Sequence, residues 1–260
     1  MPAAGRDNGQ RMDATILQAV THDLRTPLAA ILGLAVTLER ADVELAPDEV
    51  RDLARRIAAN ARRLDGMLTD LLDLDRLMRG AVELAPYPTD VGALVRRVVL
   101  DSELAREGRI TVEAPSVTVS VDGAKVERIV ESLLSNARRH TPAGSRVWVS
   151  VEPSDGGALI AVEDEGPGIA EEHREAIFEP FRQGPDAPDH APGVGIGLAL
   201  VAGFAELMGG RAWVQERQEG GASFRVLLAD ADAGSAPDTA ASADVGGSAD
   251  EAGAPGTDTG

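Results

Sequence analysis

The 260-residue sequence contains no cysteine. Disulfides, thiol catalysis, zinc ribbons and iron–sulfur clusters are therefore excluded, and the absence fits a cytosolic setting. Lysine is nearly missing as well. The 25 basic residues are 24 arginines and Lys125, so lysine-dependent chemistry has one candidate. Aromatic residues make up 3% of the chain, too few for the stacking platforms of single-stranded nucleic-acid binders. Positive charge is outnumbered: 43 acidic residues bring the formal charge to -18 and the pI to about 4.6. Binding to phosphate backbones relies on cationic neutralisation, so no nucleic-acid partner is expected. Long hydrophobic runs are also lacking. The longest, Ala191 to Ala205, has 15 residues and four glycines, whereas a spanning helix needs about 20 apolar residues. Met1 to Arg11 is polar and lacks the apolar centre of a secretory signal. No membrane contact is expected of this segment. The 43% hydrophobic content still suffices for a real core, and the length admits one large domain or two ordinary ones.

Composition and periodicity divide the chain. Residues 231–260 contain Val245 as their only large aliphatic and six acids. Such a segment cannot bury enough surface to offset its ordering entropy, so a disordered acidic tail is expected there. Residues 1–12 read as a flexible N-terminal segment. From 13 to 79 the pattern is heptad-like. Leu17, Leu24, Ile31 and Leu38 alternate with Val20, Pro27 and Leu34. After residues 39–48, Leu53, Asn60, Met67 and Leu74 alternate with Ile57, Leu64, Leu71 and Met78. This spacing predicts two long helices with narrow apolar seams. A helix over 13–41 would be about 43 Å long at 1.5 Å per residue. The short connection makes the pair an antiparallel hairpin. One hairpin buries its seams incompletely, so a homodimer through residues 13–79, a four-helix bundle, is expected. Asn60 at a seam position would help to set register.

Residues 80–88 read as a linker. Beyond them, helix and strand signals alternate: a helix over 89–108 with Asp90 near its start, then strands over 110–114 and 117–121. Gly123 to His140 is amphipathic, with Val126, Ile129, Val130, Leu133, Leu134 and Ala137 on one face. A hairpin of strands over 146–152 and 158–162 follows. Gly197 to Met208 reads as a helix stopped by Gly209 and Gly210, and strands over 211–215 and 222–228 close the domain. The fold class expected is α+β: a long helical hairpin followed by an α/β sandwich over 89–230 with a mostly antiparallel sheet.

Candidate chemistry clusters at three places. His22 falls at heptad position f when Leu17 is a, outside the seam, with Asp23 beside it and Arg25 and Thr26 one turn along. A carboxylate next to an imidazole can orient it and take its proton, which leaves the other nitrogen nucleophilic. Pro27 follows inside the helix, where it removes a backbone hydrogen bond. Asn136 lies on the amphipathic helix with Arg139 and His140 after it. Its carbonyl oxygen suits Mg²⁺, a hard cation, and Arg139 would share its face. Asp164-x-Gly166-x-Gly168 follows a buried strand, and Gly193-x-Gly195-x-Gly197 opens a helix whose N-terminus can hold an anion. Neither a Rossmann G-x-G-x-x-G nor a GxxxxGK[ST] P-loop is present. The segment from Ile169 to Pro192 between the glycine pairs has the character of a lid, with Phe178 and Phe181 read as packing residues.

Taken in order, these pieces resemble the bacterial histidine protein kinases of two-component systems, over residues 13–230. Thr21-His-Asp-Leu-Arg-Thr-Pro-Leu-Ala-Ala-Ile31 is similar to the phosphoacceptor H-box, and Leu133-Leu-Ser-Asn-Ala-Arg-Arg-His-Thr-Pro142 to the N-box. Asp164-Glu-Gly-Pro-Gly168 and Gly193-Val-Gly-Ile-Gly-Leu-Ala199 resemble the two glycine boxes, and Ile177-Phe-Glu-Pro-Phe181 the F-box. The resemblance implies an ATP-binding domain of the histidine kinase, gyrase and chaperone type. It also implies a protein histidine kinase that transfers the γ-phosphoryl of ATP to His22, with Asp23 as adjacent base, and then to an aspartate of a response-regulator receiver domain. Thr26 matches the position linked to phosphatase activity on that regulator. Asn136 would hold Mg²⁺, Arg139 contact phosphate, and His140 face the nucleotide where the family usually has Tyr. Asp164 would recognise the adenine amino group, with Gly166 and Gly168 allowing close approach of the base. Gly193, Gly195, Gly197 and Leu198 belong to the loop that closes on the phosphates.

Two positions depart from the family pattern. Ser132 stands where a first Asn is common, and Gln183 where an Arg is common, with Arg182 adjacent. The expected location is cytoplasmic, either as a soluble protein or as the cytoplasmic part of a larger sensor, with the sensor module absent from this chain. Two other readings predict different behaviour. ATP-hydrolysing relatives carry a water-activating Glu four residues before the Asn; here Glu131 is one residue off, about 100° around the helix. A non-enzymatic dimeric scaffold, nucleotide-binding or nucleotide-blind, would pass on conformational change without forming a phosphoprotein.

Overall fold

The computed structural model describes residues 4–40, 45–182 and 195–232, with side chains of the first helix from Val20 onward. Gly193, Gln183 and nearly all of the expected acidic tail lie outside the described residues. Two long helices, α1 (Ala4–Glu39) and α2 (Pro47–Met78), form the hairpin. Both begin earlier than the heptads suggest. α2 starts at Pro47, whose missing N–H costs nothing at a helix's first turn. The Glu49 carboxylate accepts the Ala46 N–H at 2.8 Å. Pro27, which is buried, lies inside α1 without ending it. Asn60 is satisfied within its own helix, its amide donating to the Arg56 carbonyl at 2.8 Å.

Seam residues Leu24, Ile31, Leu34, Ile57 and Leu64 are half-buried between the helices. A second apolar stripe is left open, with Leu28, Leu32 and Val36 on α1 and Leu68 and Leu72 on α2 between 46% and 59% exposed. The i, i+4 spacing puts each set on one helical face, the geometry of a surface still lacking its cover.

The predicted linker is partly a strand. β1 (Tyr87–Asp90) pairs antiparallel with β3 (Thr118–Val121). The predicted helix over 89–108 is two helices, α3 (Val91–Asp101) and α4 (Glu103–Arg106). Asp90 caps α3 by accepting the Ala93 N–H at 2.9 Å. Ser102 takes an extended backbone and accepts the Ala105 N–H at 3.1 Å, so it ends one helix and caps the next. The remaining elements are β2 (Ile110–Glu113), α5 (Gly123–His140), β4 (Val147–Ser154), β5 (Gly157–Asp164), α6 (Gly197–Leu207), β6 (Arg211–Glu216) and β7 (Ala222–Ala229). The main sheet has order β2-β4-β5-β7-β6. All its pairings are antiparallel except β2 with β4, which is parallel.

Helices α3, α5 and α6 cover one face of this sheet. The six apolar residues assigned to one face of α5 are all buried, as are Ile160, Val162, Phe224, Val226 and Leu228 beneath them. Burial that alternates along β4 and β7 marks a sheet covered on one side. The end of α2 docks into this domain: Leu74 is 2% exposed, and Leu77 lies where a side chain on Gly203 of α6 would stand. Among the described residues no helix is long and apolar enough to cross a membrane.

Candidate active site

His22 sits on the outer side of α1, its side chain 60% exposed, as the f position requires. The His22 Nδ1 and Asp23 Oδ1 are 3.3 Å apart. Asp23 is only 12% exposed, so the carboxylate is held against the hairpin and the imidazole stands beyond it. The Thr26 hydroxyl donates to the His22 carbonyl at 3.3 Å, which keeps it on the same face one turn further along.

The second cluster surrounds the C-terminal end of α5. Asp122 caps the start of this helix, accepting the Ala124 and Lys125 N–H groups. Arg138, Arg139 and His140 occupy its last turn, where cations complement the helix dipole. Asn136 is half-buried, seven residues from Ile129 and so at the edge of the core face of α5. Arg139 reaches from α5 toward the hairpin. Burial lowers its affinity for the proton, and Arg63 of α2 lowers it further, while Asp23 and Asp70 oppose them. The nucleotide-type helix and the phosphoacceptor-type histidine's neighbour are thus within electrostatic reach in one chain. Burial and the adjacent Arg139 pull His140 below the ordinary imidazole range, so it is neutral near pH 7.

Asp164 ends β5 and is 4% exposed. Its Oδ1 accepts the Gly166 N–H at 2.7 Å and the Ala222 N–H at 3.4 Å. Burial raises the carboxyl above its usual value, and these hydrogen bonds and Arg217 only partly counter that. Gly166 leaves room that a side chain would fill: a Cβ would meet Asp164 Oδ1 at 2.6 Å and the His140 carbonyl at 3.2 Å. Gly168 has φ +75°. Sequence reading overlooked Gly221, at φ +103°, whose absent Cβ would collide with the Asp164 carbonyl oxygen. It also overlooked Ala222. The Gly220-Gly221 pair looks like an ordinary turn, and its approach to Asp164 depends on β5 pairing with β7.

The third cluster is formed by Phe181, Arg182 and Gly195 to Leu198. Gly195 has φ +69°, and its carbonyl accepts the Phe181 N–H at 2.9 Å. A Cβ there would collide with the Arg182 carbonyl. Phe181 itself adopts φ +64° and packs on the core together with Phe178. Phe181 of the F-box stretch and Gly195 of the second glycine motif are therefore joined directly. Arg182 is exposed and pairs with Glu179 at 2.9 Å. Gly197 and Leu198 open α6, with Ser132 of α5 nearest to Gly197. Glu131 points elsewhere, paired with Arg128 at 2.9 Å. A separate cleft of about 300 Å³ lies between α3 and α5, and its Arg97 and Arg138 are paired with Glu127 and Glu103.

The sequence model described as "His Kinase A (phospho-acceptor) domain" matches residues 12–80. That described as "Histidine kinase-, DNA gyrase B-, and HSP90-like ATPase" matches residues 121–232. Hybrid signal transduction histidine kinase D of Dictyostelium discoideum is 35% identical over 224 residues, covering 80% of this chain and 14% of its own length. Histidine protein kinase DivJ of Caulobacter vibrioides is 32% identical over 231 residues, covering 87% and 38%. The chain thus spans well under half the length of these curated relatives. Among solved structures, full-length ShkA in complex with AMPPNP is 30% identical with a TM-score of 0.56, covering 84% of this chain and 46% of that one.

Proposed function

The chain belongs to the histidine kinase family, and on that premise we propose that it is an ATP-dependent autokinase that phosphorylates His22 and passes the phosphoryl group to an aspartate of a response-regulator receiver domain. One observation carries this reading: an exposed imidazole stands beside a half-buried carboxylate, Asp23, that acts electrostatically on Arg139 in the last turn of α5. With Nδ1–H directed at Asp23, the Nε2 lone pair faces solvent. Nε2 attacks the γ-phosphorus, and the bond to the β,γ-bridging oxygen breaks with its electron pair leaving on ADP. The Nδ1 proton is taken up by Asp23.

The Asp164 carboxylate accepts from the adenine amino group, and Gly166 keeps the approach open. Neutral His140 lies beside the base. Arg139, Arg182 and the backbone of Gly193, Gly195, Gly197 and Leu198 offset phosphate charge. Asn136 would supply a carbonyl oxygen to Mg²⁺, which, when bound, neutralises and orients the phosphates. Among the described residues no three His, Asp or Glu side chains converge as a metal cage. This suits a cation that takes most of its ligands from phosphate and water. Thr26, one turn beyond His22, is positioned to orient a water against a phosphorylated regulator. Residues 13–79 serve as the dimerisation and phosphoacceptor unit, with the open Leu28, Leu32, Val36, Leu68 and Leu72 stripe as the dimer face, and residues 89–230 as the catalytic unit. The expected location is cytoplasmic.

ATP hydrolysis as the main activity is disfavoured by Ser132 at the water-activating position and by Glu131 being drawn to Arg128. Incubation with labelled ATP and Mg²⁺ should yield an acid-labile, alkali-stable phosphoprotein, absent in His22→Gln and much reduced in Asn136→Ala. Equal labelling of His22→Gln would refute the phosphoacceptor assignment.

A further inference from the structure

We propose that Arg63 of α2 is a second phosphoryl-binding cation, which with Arg139 flanks the γ-phosphoryl group as it passes to His22. The proposal deepens the autokinase reading and rests on it.

The hairpin geometry puts Arg63 at the right height. Seventeen residues back from Glu39, where α1 ends, lies His22; seventeen forward from Pro47, where α2 begins, lies Leu64. In an antiparallel pair with equal rise per residue, Leu64 is therefore level with His22 and Arg63 with Asp23. Arg63 is exposed, and Arg139 approaches the same level from α5. Of the charges that act on Arg139, Arg63 has the largest effect, ahead of Asp23 and Asp70.

Like charges that act on one another, as Arg63 and Arg139 do, are mutually unfavourable unless an anion comes near them. The nearby carboxylates do not fill that role well. Asp70 is engaged by Arg128, and Asp23 is turned to the His22 ring. Among the described residues Arg63 makes no ion pair or hydrogen bond, in contrast to Arg97, Arg128 and Arg138. The space beside the nucleophile thus receives guanidinium charge from two elements that the fold alone brings together, with Asp23 and Asp70 also acting on Arg139. A phosphoryl group in transfer carries its charge on three equatorial oxygens, and two planar guanidinium forks match such an array. Arg63 exchanges no proton. The Nε2–P bond forms as the bond from phosphorus to the bridging oxygen breaks, ADP leaves with the electron pair, and Arg63 only neutralises charge that is in transit.

The experiment compares the full chain with Arg63→Gln and Arg63→Lys in single-turnover labelling at saturating ATP, with His22→Gln as the blank. Binding of a non-hydrolysable ATP analogue and thermal melting are measured on the same samples. Arg63→Gln should label about tenfold to a hundredfold more slowly, while analogue affinity stays within about twofold and the melting temperature is unchanged. Arg63→Lys should recover only part of the rate, because the charge returns without the fork. Labelling of Arg63→Gln at the parent rate overturns the proposal. So does a rate loss matched by an equal loss of analogue affinity or by a lower melting temperature. A parent chain that does not label removes the autokinase reading and this inference with it, whereas a labelling parent beside an unaffected Arg63→Gln removes the inference alone.

Discussion

Replacing Asp164 by Asn should weaken nucleotide binding while leaving the fold as stable as before, or more so. The opposition of sign follows from the site. The carboxylate is nearly inaccessible, and burial raises its proton affinity, so its charge is a cost to the empty fold that Asn removes. The Gly166 N–H at 2.7 Å needs an acceptor, and so does the adenine amino group. A carboxylate serves both. A carboxamide has one oxygen and one NH₂, so in either orientation a donor faces a donor. Loss of one charge-assisted hydrogen bond is about 1.5–3 kcal/mol, or about tenfold to a hundredfold in Kd at 1.4 kcal/mol per tenfold. The opposed donors favour the upper end. Titration of an ATP analogue by calorimetry measures the first quantity and a thermal melt the second. The melting temperature should hold or rise, with about 2–4 °C for each kcal/mol in a chain of this size. Binding within about threefold of the parent, or affinity and melting temperature falling together, would refute the reasoning. The pH dependence has the same origin. A carboxyl whose folded value is raised contributes stability on the acid side that is lost as pH rises through that value. Nucleotide affinity moves the other way, falling as pH drops and the carboxylate is protonated.

Three further outcomes are expected. Gly221→Ala must take a left-handed backbone that costs about 1–3 kcal/mol before the collision with the Asp164 carbonyl is counted, and an unchanged urea midpoint would contradict this. At the α2–α5 contact, burial is the main influence on Asp70 and raises its carboxyl, outweighing the attraction of Arg128, while Asp73 and Glu131 add like charge. The Arg128 Nε also lacks a partner among the described residues. Asp70→Asn should therefore stay within about 0.5 kcal/mol of the parent, while Arg128→Leu, which strands a half-buried carboxylate, should cost about 1–2 kcal/mol; equal effects in chemical denaturation would count against the pair as described. Leu32→Glu with Leu72→Glu puts charge on the open hairpin stripe. A shift to monomer in light scattering with helical content retained is expected, and an unaltered oligomer would mean that the stripe is not the dimer face.

Local signals were legible wherever one element sufficed to explain a residue. The amphipathic face of α5 was readable because burial follows a 3.6-residue period whatever lies opposite. His22 outside the seam followed from the heptad count. The strand β1 was not readable: four residues reading Tyr-Pro-Thr-Asp become a strand only because β3 offers a partner. The break at Ser102 was missed because its capping role depends on an extended backbone that the helical period does not reveal.

The one-dimensional chain by itself determined which residue types carry the chemistry and their order: an exposed histidine beside an acid, an asparagine on an amphipathic helix, and an aspartate and glycines at strand and helix ends. These depend on short-range periodicity and on conformations that only glycine takes easily. Tertiary structure alone decided what stands across from what. Gly221 lies against Asp164 through strand pairing between β5 and β7, and Asp70 meets Arg128 because α2 docks on α5. Arg63 comes level with Asp23 only when the hairpin closes. Such contacts join residues about 40 to 60 positions apart, and no local period encodes a distance that only the packed core brings to a few ångströms.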